Sequence, residues 1–292
     1  MAVILVTGAS GQLGNELKTE AENYRGYEFI FTDIDTLDIT DSEKTREFVE
    51  QTEPGWIINC AAYNLVDKAE TEPEKAMLIN THAVRNLAGA IKGSSCRLIH
   101  VSTDYVFEGS SNTPYNEMSP VNPQSAYGRS KLGGEREALQ HNAAMVIRTS
   151  WLYSSFGNNF VKTIISNADK KDSLNVVFDQ TGSPTYAADL AAAIMNIVAS
   201  VIRNRVAFTP GLYHYSNEGV CSWYDFAVEI VAATGQDCTI LPILTSGYPT
   251  PAKRPVYSVM DKTRIKETYG LTVPHWRDSL VRCITKLKQS RI

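Results

Sequence analysis

Tyr127 and Lys131 are the residues of this chain whose types and spacing most directly suggest proton-transfer chemistry. Residues four apart in a helix lie on the same face. A phenol with a pKa of about 10 is a poor acid–base group at neutral pH, and a fixed ammonium beside it lowers that pKa toward the working range. Because solvated helix faces also carry Tyr and Lys at this spacing, the upstream sequence decides what the pair means.

A glycine-rich turn near the start of the chain supplies that context. The apolar run 3–6 predicts a buried parallel strand, and Gly8, Gly11 and Gly14 follow it before a helical pattern begins. Glycines allow a tight turn and a close approach of a pyrophosphate, and the helix N-terminus offers amide donors to phosphates. The strand–turn–helix context favours a dinucleotide-binding turn over an ordinary glycine turn.

Two aspartates follow the second predicted strand. Asp33 comes some 20 residues after the glycines, where a carboxylate accepts hydrogen bonds from a ribose 2′-OH and repels a 2′-phosphate. This chemistry leans toward NADH. Asp38 has two equal interpretations, a contact with the adenine amino group or the N-cap of the helix predicted over residues 42–52.

Further apolar strands are predicted at 56–59 and 98–101, separated by helical stretches such as 73–89. This alternation predicts an α/β fold with a Rossmann-type doubly wound parallel sheet. Ala61 and Ala62, just after the strand at 56–59, leave room for a ligand at a strand's carboxyl end.

The chain divides into two predicted domains. Residues 1–150 form the dinucleotide-binding domain, and residues 174–201 are expected to return to it. Residues 151–173 and 202–292 form a smaller C-terminal α/β substrate-binding domain, with a strand predicted over 211–217.

Composition excludes several classes of protein. The chain has 292 residues, 43% of them hydrophobic, and a formal net charge of -4, so nucleic acid is not an expected partner. The five cysteines are scattered and form no CxxC pair, which argues against a disulfide framework. No apolar run approaches the roughly 20 residues of a membrane span. We expect a cytoplasmic protein without a signal peptide, active as a monomer or homodimer.

Three motifs in this order, GxxGxxG, Ser102-Thr103 at a strand end and YxxxK, resemble the extended short-chain dehydrogenases/reductases. Other stretches are similar to the dTDP-4-dehydrorhamnose reductase family. They are Asn59-Cys-Ala-Ala-Tyr63, Ser102-Thr-Asp-Tyr-Val-Phe107, Arg148-Thr-Ser-Trp151, Asp179-Gln-Thr-Gly-Ser-Pro-Thr185 and Thr250-Pro-Ala-Lys-Arg-Pro255.

The resemblance implies that the chain reduces the C4 ketone of a dTDP-linked 4-keto-6-deoxy sugar, dTDP-4-dehydro-β-L-rhamnose, with NADPH or NADH. It makes Tyr127 the proton donor and Thr103 the hydrogen-bonding group on the carbonyl oxygen. It gives Lys131 two tasks, holding the nicotinamide ribose and lowering the pKa of Tyr127.

The family resemblance implies two sets of binding residues in this chain. The expected cofactor contacts are Gly8, Gly11, Gln12, Leu13, Gly14, Asp33, Asp38, Ile39, Ala61, Ala62, Tyr63, Asn80, Val101, Tyr127 and Lys131. The expected substrate contacts are Val66, Thr103, Asp104, Tyr105, Trp151 and Arg254. Trp151 could stack on a ligand or pack in the core. Arg254 could bind a diphosphate or be solvated.

Tyr105 separates the reductases from their relatives. Nucleotide-sugar 4,6-dehydratases carry a glutamate at this position as a base, and a tyrosine does not readily replace it at neutral pH. A 4-epimerase uses the same Tyr–Lys pair and stays open, as does a non-catalytic dinucleotide-binding subunit like the beta subunit of methionine adenosyltransferase.

Some members of the family dimerise around a magnesium ion. Glu16 and Asp189 match two of its carboxylate ligands, but the third should be acidic and near the C-terminus, where this chain reads Gln289-Ser-Arg-Ile292. The sequence therefore predicts no metal.

Overall fold

Within residues 1–289, which the computed structural model describes, the central sheet consists of six parallel strands. They are β1 (Ala2–Thr7), β2 (Tyr27–Thr32), β3 (Trp56–Asn59), β4 (Arg97–Thr103), β5 (Ala144–Thr149) and β10 (Gly211–His214). The shorter strands outside this sheet are β6 (Leu152–Tyr153), β7 (Ser173–Val177), β8 (Thr181–Gly182), β9 (Thr185–Tyr186), β11 (Cys221–Ser222) and β12 (Thr239–Ile243).

The strand order of the central sheet is β10-β5-β4-β3-β1-β2. The chain moves from β1 outward to β2, then crosses back to β3 and continues through β4 and β5. This reversal leaves a crevice at the carboxyl ends of β1 and β3, which is where open α/β sheets bind ligands. The predicted doubly wound parallel sheet is confirmed.

Helices cover both faces of the sheet. The helices are α1 (Gln12–Ala21), α2 (Ser42–Thr52), α3 (Pro73–Met77), α4 (Ala83–Ala90), α5 (Ala126–Ala138), α6 (Phe160–Ala168), α7 (Ala187–Ile202), α8 (Trp223–Thr234), α9 (Thr263–Tyr269) and α10 (Trp276–Gln289). Ile4 and Val6 of β1 pack with α1 and α7, whereas Leu5 packs on the opposite face with α2 and α4. Because both faces are buried, residues 2–6 of β1 form a continuous apolar run rather than an alternating one.

The helix expected over 73–89 is present, with α3 and α4 joined by a π-helical turn at Leu78–His82. The N-cap of α2 is Asp41, whose carboxylate accepts from the backbone N–H groups of Glu43 and Lys44, so Asp38 does not cap this helix.

The second unit has its own apolar core, formed by α6, β7, α8, β12 and α10. The predicted return of residues 174–201 to the first domain is wrong for β7, which pairs with β12 in this unit. Conversely, β10 lies in the stretch assigned to the second domain but pairs with β5 as the edge of the central sheet. Leu212 and Tyr213 pack on opposite faces of that sheet, which explains its place there.

No helix among residues 1–289 is long and apolar enough to cross a membrane.

Candidate active site

A cavity of about 510 Å³ lies at the carboxyl ends of β1, β3, β4 and β5. The predicted site residues that line it are Gly11, Gln12, Leu13, Gly14, Ala62, Val66, Val101, Thr103, Asp104, Tyr105, Tyr127, Lys131 and Trp151. It is also lined by residues that the sequence did not single out as ligand contacts, namely Cys60, Asn64, Thr149, Ser150, Leu152, Gly157 and Asn158. The parallel sheet thus brings together residues that are far apart in the chain.

The glycine turn makes one wall of this cavity. Gly8 has a φ of +67°, and a Cβ there would lie 2.5 Å from the Ala61 backbone nitrogen. A Cβ on Gly14 would lie 2.5 Å from the Gly8 carbonyl oxygen, so α1 could not pack this close to β1 with a larger residue. Helix α1 begins after Gly11 with no side-chain cap, which leaves its first N–H groups for a ligand. These features fit the diphosphate of a dinucleotide.

Asp33 is held against the same turn. Its Oδ2 accepts from the backbone N–H of Ser10 at 2.8 Å and its Oδ1 from that of Ile34 at 2.8 Å. Burial raises the pKa of Asp33, but these hydrogen bonds outweigh it and the pKa is lowered on balance. A carboxylate therefore stands beside the turn at neutral pH, consistent with binding a ribose hydroxyl and repelling a 2′-phosphate.

Asp38 and Ile39 lie away from the main cavity. The Asp38 carboxylate accepts from the backbone N–H and hydroxyl of Thr40 at 2.9 and 2.7 Å. The Ile39 side chain is buried in the core beneath α2 and α4. Asp38 instead lines a second hollow of about 400 Å³ beyond β2.

Asn80 is buried and does not line the cavity. Its side chain accepts from the Tyr63 N–H at 2.8 Å and donates to the Tyr63 carbonyl at 3.1 Å and to Ser130 Oγ at 2.9 Å. These bonds fasten the loop after β3 to α5. Asn80 therefore orients that loop, a role that its sequence position did not indicate.

The Tyr127–Lys131 pair lies on one face of α5, as predicted, but the two side chains are used differently. Lys131 Nζ donates to the carbonyl oxygen of Val101 at 2.6 Å. Burial lowers the pKa of Lys131 to about 8, with nearby Glu135 opposing that shift. Burial raises the pKa of Tyr127 and outweighs hydrogen bonding with Thr103. The predicted lowering of the Tyr127 pKa by Lys131 is therefore wrong, and the phenol keeps its proton at neutral pH.

Thr103 and Asp104 end β4 at the floor of the cavity. Thr103 Oγ1 accepts from the Tyr105 N–H at 3.2 Å and lies 2.9 Å from Asp104 Oδ1. Asp104 is 2% exposed, and burial raises its pKa to about 6, with the hydrogen bond from Thr103 opposing that shift.

Ser102, the neighbour of Thr103, has a structural partner. Its hydroxyl donates to Glu135 Oε1 at 2.6 Å, and Glu135 forms a bidentate ion pair with Arg148 at 2.8 and 2.7 Å. All three side chains are buried. Glu135 stands one helical turn after Lys131, a spacing that would have identified it from the sequence.

Trp151 lines the cavity and also packs against the apolar core of the second unit. It has a φ of +48° and stacks on Trp223 of α8, with ring centroids 3.6 Å apart and planes 8° apart. The two indoles provide a flat apolar surface beside the second unit.

Arg254 does not line the cavity. Its guanidinium donates to the Tyr105 hydroxyl at 3.2 Å and to Asp67 Oδ2 at 2.5 Å. Asp67 also accepts from the Ala252 N–H at 3.1 Å. The loop carrying Arg254 is thus fastened to the first domain beside the cavity, and the guanidinium is not simply solvated.

Glu16 and Asp189 are both paired with cations of α10. Glu16 accepts from Lys286 Nζ at 2.8 Å, and Asp189 from Arg282 at 2.5 Å. Within residues 1–289 no three His, Cys, Asp or Glu side chains are grouped to hold a metal ion. Residues 290–292, on which the expectation of no metal partly rests, lie outside the described residues.

Comparison with known proteins gives consistent matches over nearly the full length. Residues 1–289 match the family described as RmlD substrate binding domain. The chain is 40% identical to the spore coat polysaccharide biosynthesis protein SpsK of Bacillus subtilis (strain 168), covering 96% of each chain. It is 40% identical to the dTDP-4-dehydrorhamnose reductase of Aggregatibacter actinomycetemcomitans, covering 96% of this chain and 97% of that one. A crystal structure of dTDP-4-dehydrorhamnose reductase from Bacillus anthracis str. Ames in complex with NADP is 38% identical with a TM-score of 0.92, covering 98% of this chain and 100% of that one.

Proposed function

This chain belongs to the RmlD substrate-binding-domain family, and on that premise we propose that it is a dTDP-4-dehydrorhamnose reductase using NADPH or NADH. Its reaction reduces the C4 ketone of dTDP-4-dehydro-β-L-rhamnose to the alcohol of dTDP-β-L-rhamnose. The product serves the biosynthesis of polysaccharides, in keeping with the similarity to SpsK.

The observation that carries the proposal is the meeting of Thr103, Tyr127 and Lys131 in the cavity that the glycine turn closes. A nicotinamide nucleotide, when bound on that turn, supplies the hydride for C4. Tyr127 gives its hydroxyl proton to the ketone oxygen as the carbonyl π electrons move there, and the phenolate is then reprotonated from solvent. A phenol that stays protonated at neutral pH suits this direction of proton transfer.

The other residues hold the reactants. Lys131 is placed to bind the nicotinamide ribose, and Thr103 to donate to the ketone oxygen. Trp151 offers a flat face to the nucleotide base or the sugar. Arg254 is assigned to the substrate diphosphate. On binding, the diphosphate would replace the Asp67 carboxylate as the partner of the guanidinium.

The proposal is tested by mixing the protein with dTDP-4-dehydro-β-L-rhamnose and either reduced cofactor. We expect the absorbance of the reduced nicotinamide to fall in proportion to the sugar reduced, and Tyr127→Phe to abolish the change. A 4-epimerase would isomerise the sugar with no net loss of reduced cofactor. A regulatory subunit would bind the cofactor and leave it reduced.

A further inference from the structure

The Thr103 hydroxyl has one proton to donate and two acceptors for it, the Asp104 carboxyl group and the substrate ketone. A threonine hydroxyl has one proton to donate and two lone pairs to accept with. Thr103 Oγ1 accepts from the Tyr105 N–H at 3.2 Å and lies 2.9 Å from Asp104 Oδ1. If Asp104 is a carboxylate, the single Thr103 proton points to it, because a charged acceptor makes the stronger bond.

The surroundings of Asp104 disfavour that charge. The residue is 2% exposed, has no ion pair among residues 1–289, and its Oδ2 has no hydrogen-bond partner there. Lys131, which lines the same cavity, is bonded to Val101, and Arg254, which bonds Tyr105, is paired with Asp67.

The other groups that face Asp104 are neutral. They are the phenols of Tyr105 and Tyr127 and the hydroxyl of Ser258. Burial alone therefore dominates, and it raises the pKa of Asp104 to about 6, so both protonation states are accessible near neutral pH.

We propose that Asp104 is a positioning residue whose proton sets the direction of the hydrogen bonds through Thr103 toward the substrate ketone. When protonated, Asp104 donates to Thr103 Oγ1, and the Thr103 proton is free for the ketone oxygen. When ionised, Asp104 accepts a hydrogen bond from the Thr103 hydroxyl, and that hydroxyl no longer donates to the ketone oxygen. The charged form thus withdraws the Thr103 donor from the ketone. This inference rests on the proposed reductase function.

The test compares kcat/KM for dTDP-4-dehydro-β-L-rhamnose between wild type and Asp104→Asn, from about pH 5 to about pH 9 at saturating NADPH. The wild-type value should fall about tenfold per pH unit above about pH 6 toward a lower plateau. The amide introduced by Asp104→Asn donates at every pH, so this fall should be absent in that variant. Only a fall of kcat/KM near pH 8, from deprotonation of Lys131, should remain. Asp104→Ala, which can neither donate nor accept, should also lack the fall above about pH 6 but run below Asp104→Asn.

If kcat/KM of Asp104→Asn still falls above about pH 6 as in wild type, the inference is overturned. It is also overturned if an Asp104→Asn protein that folds and binds NADPH is inactive at every pH. A carbon-13 NMR titration of the aspartate carboxyl groups with NADP bound gives a readout that needs no turnover. A signal missing in Asp104→Asn should titrate near pH 6, and its absence would overturn the inference. A wild-type enzyme that titrates in this way but does not reduce the sugar would contradict the proposed function instead.

Discussion

Lys131 Nζ donates to the Val101 carbonyl oxygen at 2.6 Å and so ties α5 to the end of β4 beside the cavity. The ammonium is buried and turned toward the strand rather than toward the phenol one turn earlier. Burial lowers the pKa of this ammonium to about 8, with Glu135 opposing the shift, and this has consequences for stability as well as for cofactor binding.

Lys131→Met should change the pH dependence of folding stability. The folded pKa of Lys131 is about 8 and the unfolded one about 10.5, so between these values only the unfolded state holds the proton. The free energy of unfolding of wild type should therefore rise relative to Lys131→Met by about 1.4 kcal/mol per pH unit above pH 8. Urea unfolding at about pH 7, 8 and 9 measures this. A constant difference between the two proteins would contradict the shifted pKa.

Tyr127→Phe should lower kcat by about 10²–10⁴ because it removes the proton donor, while the dissociation constant for NADPH changes little. Tyr153→Phe is the matched control. Tyr153 lies in the apolar core of the second unit, and its hydroxyl has no hydrogen-bond partner among the described residues. Steady-state kinetics and cofactor titration by fluorescence separate the two effects. Similar losses of kcat in both variants would argue against Tyr127 as the donor.

Asp33→Asn should shift cofactor use from NADH toward NADPH. The substitution removes the charge that repels a 2′-phosphate, and the ratio of kcat/KM for NADH to that for NADPH should fall by about tenfold, equivalent to about 1.4 kcal/mol. Asp35→Asn, in the same loop, is the control and should leave the ratio within about twofold. An unchanged ratio in Asp33→Asn would mean that another group selects the cofactor.

Glu135→Gln should destabilise the fold by about 3–5 kcal/mol, because it leaves the buried Arg148 guanidinium without a counter-charge. Glu137→Gln, two residues on, breaks an ion pair with the largely exposed Arg85 and should destabilise the fold much less, because solvent screens that pair. Chemical denaturation of both variants at neutral pH gives the comparison. Equal losses would show that burial does not distinguish the two pairs.

Gly14→Ala should both destabilise the protein and abolish binding of the cofactor. The new Cβ would stand 2.5 Å from the Gly8 carbonyl oxygen and 2.6 Å from Ala9 Cα, so α1 must move away from the turn. Gly89→Ala in α4 meets no atom within 4 Å and should be neutral or stabilising by up to about 1 kcal/mol. Thermal unfolding with and without NADPH measures both effects. A Gly14→Ala protein still stabilised by NADPH would contradict this account of the turn.

Much of the fold follows from local sequence patterns. The apolar run of β1 and the Gly8–Gly14 spacing specify a buried strand, a tight turn and a helix within one short segment. The positions of Tyr127 and Lys131 follow from helical periodicity in the same way. Such features need only neighbours in the chain, and here the structure has them where the pattern predicts.

The partners of these residues were decided by the tertiary structure. No local pattern shows that β10 joins the edge of the central sheet or that Asn80 bonds to Tyr63, because those contacts close long loops. The sequence placed Lys131 beside Tyr127 and suggested a lowered phenol pKa. Burial of the phenol and the Val101 carbonyl beside the cavity reversed that expectation, since a pKa depends on solvent exclusion and on every nearby dipole. The sequence by itself determined which chemical groups reach the site, and the packing of β4, α5 and the loops around them determined the protonation states in which they meet.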